Sequence, residues 1–256
     1  MTPVRVVVLV VVVAVAAAAA WYFWPQSAPP PLTINEPRVV AAPAPQGPLN
    51  PVPEAAQPQP LPTVKDSDPL LKDTAASLIG ADAFARYLQP DEIVHRIVAT
   101  IDNLPRATYA ARLNPVKTPP GLMATAGQGD SLVLAPANGE RYAPYVRVFA
   151  ALDSDKLVAA YVRLYPLFQK AYVDQGYPNG YFNDRLVEVI DHLLEAPEPK
   201  GPVKLVVPHV LYEYADPELQ GMSGGQKLLV RMGPANEEKV KAKLREIRER
   251  IARAKP

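Results

Sequence analysis

A run of nineteen uncharged, almost wholly apolar residues, Val6 to Trp24, dominates the beginning of the sequence. At a rise of about 1.5 Å per residue, a helix of this length spans roughly 28 Å, close to the hydrocarbon thickness of a bilayer. Four consecutive aromatic residues, Trp21 to Trp24, close the run, and such residues favour the headgroup level of a membrane. We therefore predict a single transmembrane helix over residues 6–24, with the lipid bilayer as its partner.

The charges around this run predict its orientation. Arg5 precedes it, whereas no acidic residue follows until Glu36 and no basic residue until Arg38. The positive-inside tendency then keeps residues 1–5 in the cytoplasm, which predicts an inner-membrane protein with a periplasmic C-terminal domain. The alternative is a cleaved signal peptide, because Ala16 to Ala20 offers small residues to a signal peptidase.

Residues 25–68 are crowded with proline, as in Pro29 to Pro31. Proline lacks the N–H group that helix interiors and sheet ladders require, and it biases the preceding residue toward extended conformations. We predict a disordered, polyproline II-like linker that does not pack, with a reach of about 140 Å when fully extended. A proline-rich ligand for a partner domain is the alternative interpretation.

Residues 69–256 have an ordinary globular composition and a length that suits a single domain. Apolar periodicity and capping signals predict helices over most of this region. The predicted helices cover residues 69–79, 81–88, 90–101, 145–152, 154–175, 183–194, 224–232 and 234–254. A hairpin is predicted around a turn at residues 127–130, and Val203 to Tyr214 is predicted as one strand in which Pro208 requires a bulge or an edge position. The expected fold class is mainly α (α+β), a helical domain with a small sheet.

Four separated segments of the predicted domain carry a family resemblance. They are Asp102 to Leu104, Tyr172 with Gly176 to Pro178, Tyr214 to Pro217, and Lys227 to Asn236. Together, and in this order, they resemble a bacterial family known as domain of unknown function 3014. The resemblance covers nearly the whole region after the linker and implies a membrane-anchored, non-cytoplasmic domain. It implies no activity, and so no catalytic residue follows from it.

Acidic residues line one face of the predicted helix 183–194, with Asp184, Glu188 and Asp191 spaced at i, i+4 and i+7. Two carboxylates that flank a glycosidic bond can supply the acid and base of hydrolysis, and such groups also suit a hard cation. These three residues are therefore the candidate catalytic residues of an envelope hydrolase acting on glycan or peptide. An acidic row opposite an apolar stripe is more typical of a solvated helix face, which is the interpretation we favour.

The sequence contains only weak signals for a metal site, a cofactor site or a catalytic nucleophile. The three histidines, His95, His192 and His209, show no metal-ligand spacing, and the sequence contains no cysteine. The sequence has neither a G-x-S-x-G elbow nor a phosphate-binding loop, and Ser223 fits a helix cap with Gln226. We expect no metal and no cofactor, and we favour a protein without catalytic activity.

A turn rich in aromatic and amide side chains follows Gly176. Tyr177, Asn179, Tyr181 and Asn183 are candidate ligand-binding residues, because rings stack on apolar faces of carbohydrate or peptide while amides fix hydroxyl or amide groups. The alternative is that Tyr177 and Tyr181 staple two helices together.

Basic residues accumulate in the last predicted helix. Lys243, Arg245, Arg248 and Arg250 are candidates for a surface that binds an anionic partner, such as an acidic polymer or an acidic envelope protein. Acids first and bases last also complement the helix dipole, so stability alone explains much of this layout. The net charge is only +1, and we expect no nucleic-acid partner. The sequence thus predicts a membrane-anchored envelope protein with a binding or scaffolding role, with the hydrolase as the alternative.

Overall fold

The structure is a computed structural model that describes residues 47–53, 60–108 and 110–252. The predicted transmembrane span over residues 6–24 lies outside these described residues. Within the described ranges no helix is both long enough and apolar enough to cross a bilayer. All the described residues belong to one compact unit, Pro45–Pro256.

Helices dominate the described part of the chain, which confirms the mainly helical α+β class. The helices are α1 (Asp68–Ile79), α2 (Ala81–Tyr87), α3 (Ile93–Asn103), α4 (Ala137–Ala150), α5 (Ser154–Asp174), α6 (Phe182–Leu194), α7 (Pro217–Gly221), α8 (Gly224–Met232) and α9 (Pro234–Ala252). The strands are β1 (Thr125–Ala126), β2 (Val133–Leu134), β3 (Leu205–Val206) and β4 (Glu213–Tyr214). Single 3-10 turns occupy Val64–Asp66, Ala111–Leu113 and Gly129–Ser131.

The start of α1 differs from the prediction in one instructive way. The helix predicted over residues 69–79 begins one residue earlier, at Asp68, and Ser67 is its N-cap. The Asp68 carboxylate accepts hydrogen bonds from the backbone N–H groups of Glu92 and Ile93, at 2.8 and 2.9 Å. It therefore satisfies the unpaired amides at the start of α3, across a gap in sequence that capping rules do not span. Gly80 ends α1 at a φ of 86°, as predicted.

The capping box predicted for α8 is confirmed. Ser223 Oγ accepts from the backbone N–H of Gln226, and the Gln226 side chain accepts from the backbone N–H of Ser223. Gly233, with a φ of 79°, then ends α8, and Pro234 opens α9 in the first-turn position where its missing N–H costs nothing.

Two boundaries differ from the prediction because of proline. The helix α4 begins at Ala137 rather than Tyr145 and continues through Pro144. The segment Val203 to Tyr214 is two short strands with a loop between them, not one strand. Pro208 cannot donate to a ladder, and pairing stops just before it at Val206.

The strands form two antiparallel pairs that meet. Thr125 lies opposite Leu134 in the first pair, and Leu205 lies opposite Tyr214 in the second. A backbone bridge between Val133 and Lys204 joins the two pairs into one small layer. Because β1 and β3 are both antiparallel to β2, the loops that follow them leave the layer at the same end.

The largest apolar cluster lies where α1, α3 and α5 meet the first turn of α6. Val98, Ala171 and Phe182 are completely buried in it. A second cluster joins α6 to α8 through residues such as Leu193 and Leu229. Burial of each large aliphatic or aromatic side chain contributes about 1.5–3 kcal/mol, so these clusters supply most of the driving force for folding.

Part of the predicted linker packs against the domain, contrary to the expectation of an unpacked segment over residues 25–68. The backbone N–H groups of Leu49 and Asn50 donate to the Asp184 carboxylate at 3.0 and 2.6 Å. Further along, Leu61 and Val64 contact the largest apolar cluster. Proline removes donors from this segment, but the amides of Leu49 and Asn50 and the side chains of Leu61 and Val64 still have partners on the folded domain.

Candidate functional site

The three predicted catalytic carboxylates have three different partners. Asp184 accepts the backbone amides of residues 49 and 50, as described above. Glu188 pairs with Arg185 one turn earlier and is 68% exposed. Asp191 accepts a bidentate hydrogen bond from Arg248 of α9. Two hydrolytic carboxylates must face the same substrate bond. Each of these three acids instead contacts a different partner within the fold.

Tyr177, the first of the predicted ligand-binding residues, is part of a packed joint. Its ring stacks on Tyr172, with centroids 4.5 Å apart and an interplanar angle of 15°. Its hydroxyl donates to Asp102 Oδ2 at 3.0 Å. These contacts match the alternative interpretation, in which the tyrosine holds two helices together.

The other three residues of this predicted site differ in burial. Asn183 is completely buried, accepts from the Tyr161 hydroxyl at 2.9 Å and donates to the Asn50 carbonyl at 2.8 Å. Tyr181 is half-buried at the start of α6, and Asn179 is exposed in the preceding turn. The amide of Asn183 is therefore engaged within the fold.

The predicted basic surface on α9 is divided by the structure. Lys243 is buried, and its Nζ donates to the Leu152 carbonyl at 2.9 Å and to Glu246 at 2.7 Å, so it cannot present a charge to a partner. Arg248 pairs with Asp191, as above. Arg250 pairs with Asp155 at 2.6 Å, and Arg245 is exposed. Lys243 is therefore not available to the predicted anionic-partner surface, which stays a prediction for the other three residues.

Asp102 is the centre of a polar joint that sequence reasoning did not find. It is almost fully buried at the end of α3. Its Oδ1 accepts from Arg185 Nε at 3.1 Å, and its Oδ2 accepts from Arg106 at 2.7 Å and from Tyr177. Burial, followed by the Asp102 charge, raises the pKa of the neighbouring Tyr172 phenol. Both oxygens of the buried Asp102 carboxylate have partners in this joint, which suits a structural role.

The first turn of α8 forms a second joint with the same end of α3. The backbone N–H of Gly225 donates to the Leu104 carbonyl at 2.9 Å, and that of Gly224 donates to the Arg106 carbonyl at 2.7 Å. A Cβ on Gly225 would lie 2.6 Å from Leu193 Cδ2 and 2.9 Å from the Leu104 oxygen. Only glycine permits this close approach.

A histidine and a serine also meet at this place. His192 Nε2 lies 2.9 Å from Ser223 Oγ, a distance compatible with a base and a nucleophile. Ser223 is buried, however, and its oxygen already accepts the backbone N–H of Gln226 as the cap of α8. Gln226 in turn donates to the His192 carbonyl at 3.0 Å, so the pair belongs to the α6–α8 contact.

An apolar cavity of about 270 Å³ lies between α1, α2, α3 and α5. It is partly open to solvent. Leu71, Leu78, Phe84, Ile97, Leu164 and Phe168 form much of its wall. Ala75 of α1 and Ala160 of α5 also line it, and their small side chains leave the space between the helices unfilled.

Two of the three polar side chains in the cavity wall have hydrogen-bond partners within the fold. The Thr74 hydroxyl donates to the Leu70 carbonyl at 2.8 Å, and the Tyr161 hydroxyl donates to Asn183. Burial raises the pKa of the Tyr161 phenol well above its usual range, so this group stays neutral. Gln89 is the remaining polar residue of the wall. The cavity therefore offers a ligand an apolar surface without a charge.

These features define a mainly helical domain with buried polar joints between distant segments and an apolar cavity among its first helices. Residues 93–248 match the model of a family described as protein of unknown function, DUF3014. The match covers more than half of the chain, and the chain belongs to this family, which confirms the resemblance seen in the sequence. No curated protein and no solved structure matches the chain.

Proposed function

We propose that this protein is a binding protein without catalytic activity whose folded domain takes one apolar chain, such as the acyl chain of a lipid, into the cavity between α1, α2, α3 and α5. The observation that carries this proposal is the cavity itself, with its apolar wall and its partial opening to solvent. Clefts of this kind, lined by hydrophobic side chains, are the usual sites for small apolar ligands.

The size of the cavity supports this class of ligand. An engineered apolar cavity of about 150 Å³ stays dry and binds benzene, and the cavity here is larger. Each methylene group that leaves water contributes about 0.8 kcal/mol, so a flexible hydrocarbon gains affinity with every carbon that enters. A polar ligand would lose its hydrogen bonds to water without finding replacements in this wall.

The cellular setting is part of the same proposal. The apolar run Val6 to Trp24 and the arginine before it support an inner-membrane anchor with the domain in the periplasm. Such a position would give the cavity access to lipids of the envelope. Reporter fusions at the C-terminus that are active only in the cytoplasm would contradict this placement.

Native mass spectrometry of the full-length protein, released from detergent in the presence of dodecanoic acid, tests the ligand. We expect one bound fatty acid per chain. Ala160→Phe fills the cavity from α5 and should weaken binding by at least about tenfold, equivalent to about 1.4 kcal/mol. Ala75→Phe, which enters from the opposite wall, should have the same effect.

The matched control is Ala159→Phe, one residue away on the same helix but exposed. It should bind dodecanoic acid as the wild type does. Circular dichroism of all three variants verifies that each one folds. Equal binding by the wild type and both cavity variants, all folded, would contradict the proposal.

A further inference from the structure

The loop between β3 and β4 concentrates exposed apolar side chains at one place. Among the described residues, seven large hydrophobic side chains are exposed, and five of them lie within residues 206–212. They are Val206, Val207, Val210, Leu211 and Tyr212. Val210 and Leu211, in the middle of the loop, are 89% and 76% exposed. Apolar residues exposed singly are common, but a contiguous group of this kind marks an interaction surface.

The base of this hairpin is firmly held, so the exposure of its tip is a property of the fold. Leu205 and Tyr214 lie opposite each other in the ladder and are both buried, with Met222 and Val230 in the same cluster. The Tyr214 hydroxyl also donates to the Lys227 carbonyl at 3.2 Å. The tip, residues 206–212, therefore projects from an anchored base.

Two exposed lysines precede the tip, whereas Glu213, which follows it directly, is half-buried. No acidic residue occurs between Glu198 and Glu213, whereas Lys200 and Lys204 lie in this interval and are exposed. The tip thus contains four aliphatic residues together with Pro208, His209 and Tyr212, and two lysines precede it. Lysine and tyrosine beside aliphatic residues suit the interface of a bilayer, where the rings reach the headgroups and the ammonium groups meet anionic phosphates.

We infer that the hairpin tip, residues 206–212, inserts into the interfacial region of an anionic lipid bilayer. The two exposed lysines supply charge complementarity to the headgroups, and Val210 and Leu211 enter the acyl boundary. This contact stands on the hairpin alone and requires neither the apolar cavity nor the span predicted over residues 6–24. It would give the folded domain its own attachment to a membrane surface and so fix its orientation there.

The absence of cysteine from the sequence allows a site-specific test. Val210→Cys in the full-length protein is labelled with an environment-sensitive fluorophore and reconstituted into vesicles of equimolar phosphatidylcholine and phosphatidylglycerol. We expect a blue-shifted emission and quenching by lipids with brominated acyl chains. A label on Ser77→Cys, at an exposed position of α1, is the matched control and should be quenched at least about twofold less.

Further variants test the two parts of the contact. Leu211→Glu in the labelled Val210→Cys chain should abolish the quenching, because a carboxylate opposes both insertion and the anionic surface. Lys200→Glu with Lys204→Glu should reduce it in the anionic vesicles. Equal quenching of the Val210 and Ser77 labels would overturn the inference. A blue shift that depends on protein concentration and persists without quenching by brominated lipids would also overturn it, in favour of contact with a second copy of the chain.

Discussion

Asp102 brings together side chains from two separate parts of the chain. Its carboxylate contacts Arg106 in the next turn, Arg185 of α6 and the Tyr177 hydroxyl, and the Arg185 side chain also reaches the Asp102 carbonyl at 2.9 Å. A buried carboxylate with several charged and hydrogen-bonded partners is expensive to desolvate and even more expensive to leave incomplete. Asp102 therefore joins α3 to α6 through a specific set of polar contacts.

Removal of this carboxylate should be strongly destabilising. We expect Asp102→Ala to lower the free energy of unfolding by about 3 kcal/mol, because the largely buried Arg185 side chain loses its buried carboxylate partner and retains the exposed Glu188. Urea denaturation followed by circular dichroism measures the change. The matched control is Asp174→Ala, which removes an exposed ion pair with Lys170 and should cost less than about 1 kcal/mol. Equal effects of the two substitutions would show that the Asp102 carboxylate does not stabilise the contact between α3 and α6.

At the scale of elements, hydrogen bonds at the ends of helices join one element to another, in addition to the packing of helix faces. The carboxylate of Asp68 in α1 satisfies the amides at the start of α3, and the end of α3 accepts amides from the start of α8. Asn138 of α4 donates to the Arg231 carbonyl near the end of α8 at 2.7 Å. Each of these three helix ends is thus completed by a different element, which makes the positions of the helices involved interdependent.

The close approach at Gly225 provides a test of this arrangement. We expect Gly225→Ala to destabilise the domain by about 1–3 kcal/mol, because its methyl group would collide with Leu193 and with the Leu104 backbone. The control is Gly221→Ala in α7, where a Cβ would meet nothing within 4 Å. That change should leave the free energy of unfolding within about 0.5 kcal/mol of the wild type. Chemical denaturation of both variants at the same pH measures the two changes in the free energy of unfolding.

At the scale of the whole molecule, the segment before the helical domain continues onto its surface. Asp184 accepts two backbone amides of this segment, and Asn183 donates to its Asn50 carbonyl. Since residues 47–53 lie between the predicted membrane span and the domain, this contact determines where a tether would leave the folded surface. The acidic row that suggested catalysis thereby contributes a docking point for the chain itself.

Loss of this docking point should be visible as local mobility. We expect Asp184→Ala to accelerate hydrogen exchange at the amides of Leu49 and Asn50 by about tenfold, because both lose their acceptor. Hydrogen–deuterium exchange mass spectrometry can follow the peptide that contains them. Glu188→Ala, which changes the next acid on the same helix face, should leave this peptide unaffected. If the two variants exchanged alike, the contact would not hold the segment in solution.

Much of the fold follows from local patterns. The apolar stripe of α3, the capping box of α8 and the glycine stops at Gly80 and Gly233 are all where the sequence predicts them. Capping and periodicity depend on neighbours within a few residues, so a single sequence contains the information. The loop at 207–212 and the early start of α4 were missed, because prolines inside a segment make its boundary depend on the surrounding packing.

The sequence by itself determined the helical class, the family and the expectation of a membrane anchor over residues 6–24. The tertiary structure alone decided what the polar side chains do. Lys243, predicted as part of a binding surface, is buried against a carbonyl of the α4–α5 connection, and Asn183, predicted as a ligand contact, completes the core. Only the tertiary structure also revealed the apolar cavity. The reason is that burial and hydrogen-bond partners come from residues far apart in sequence, whereas a residue type and its spacing specify only its local conformation.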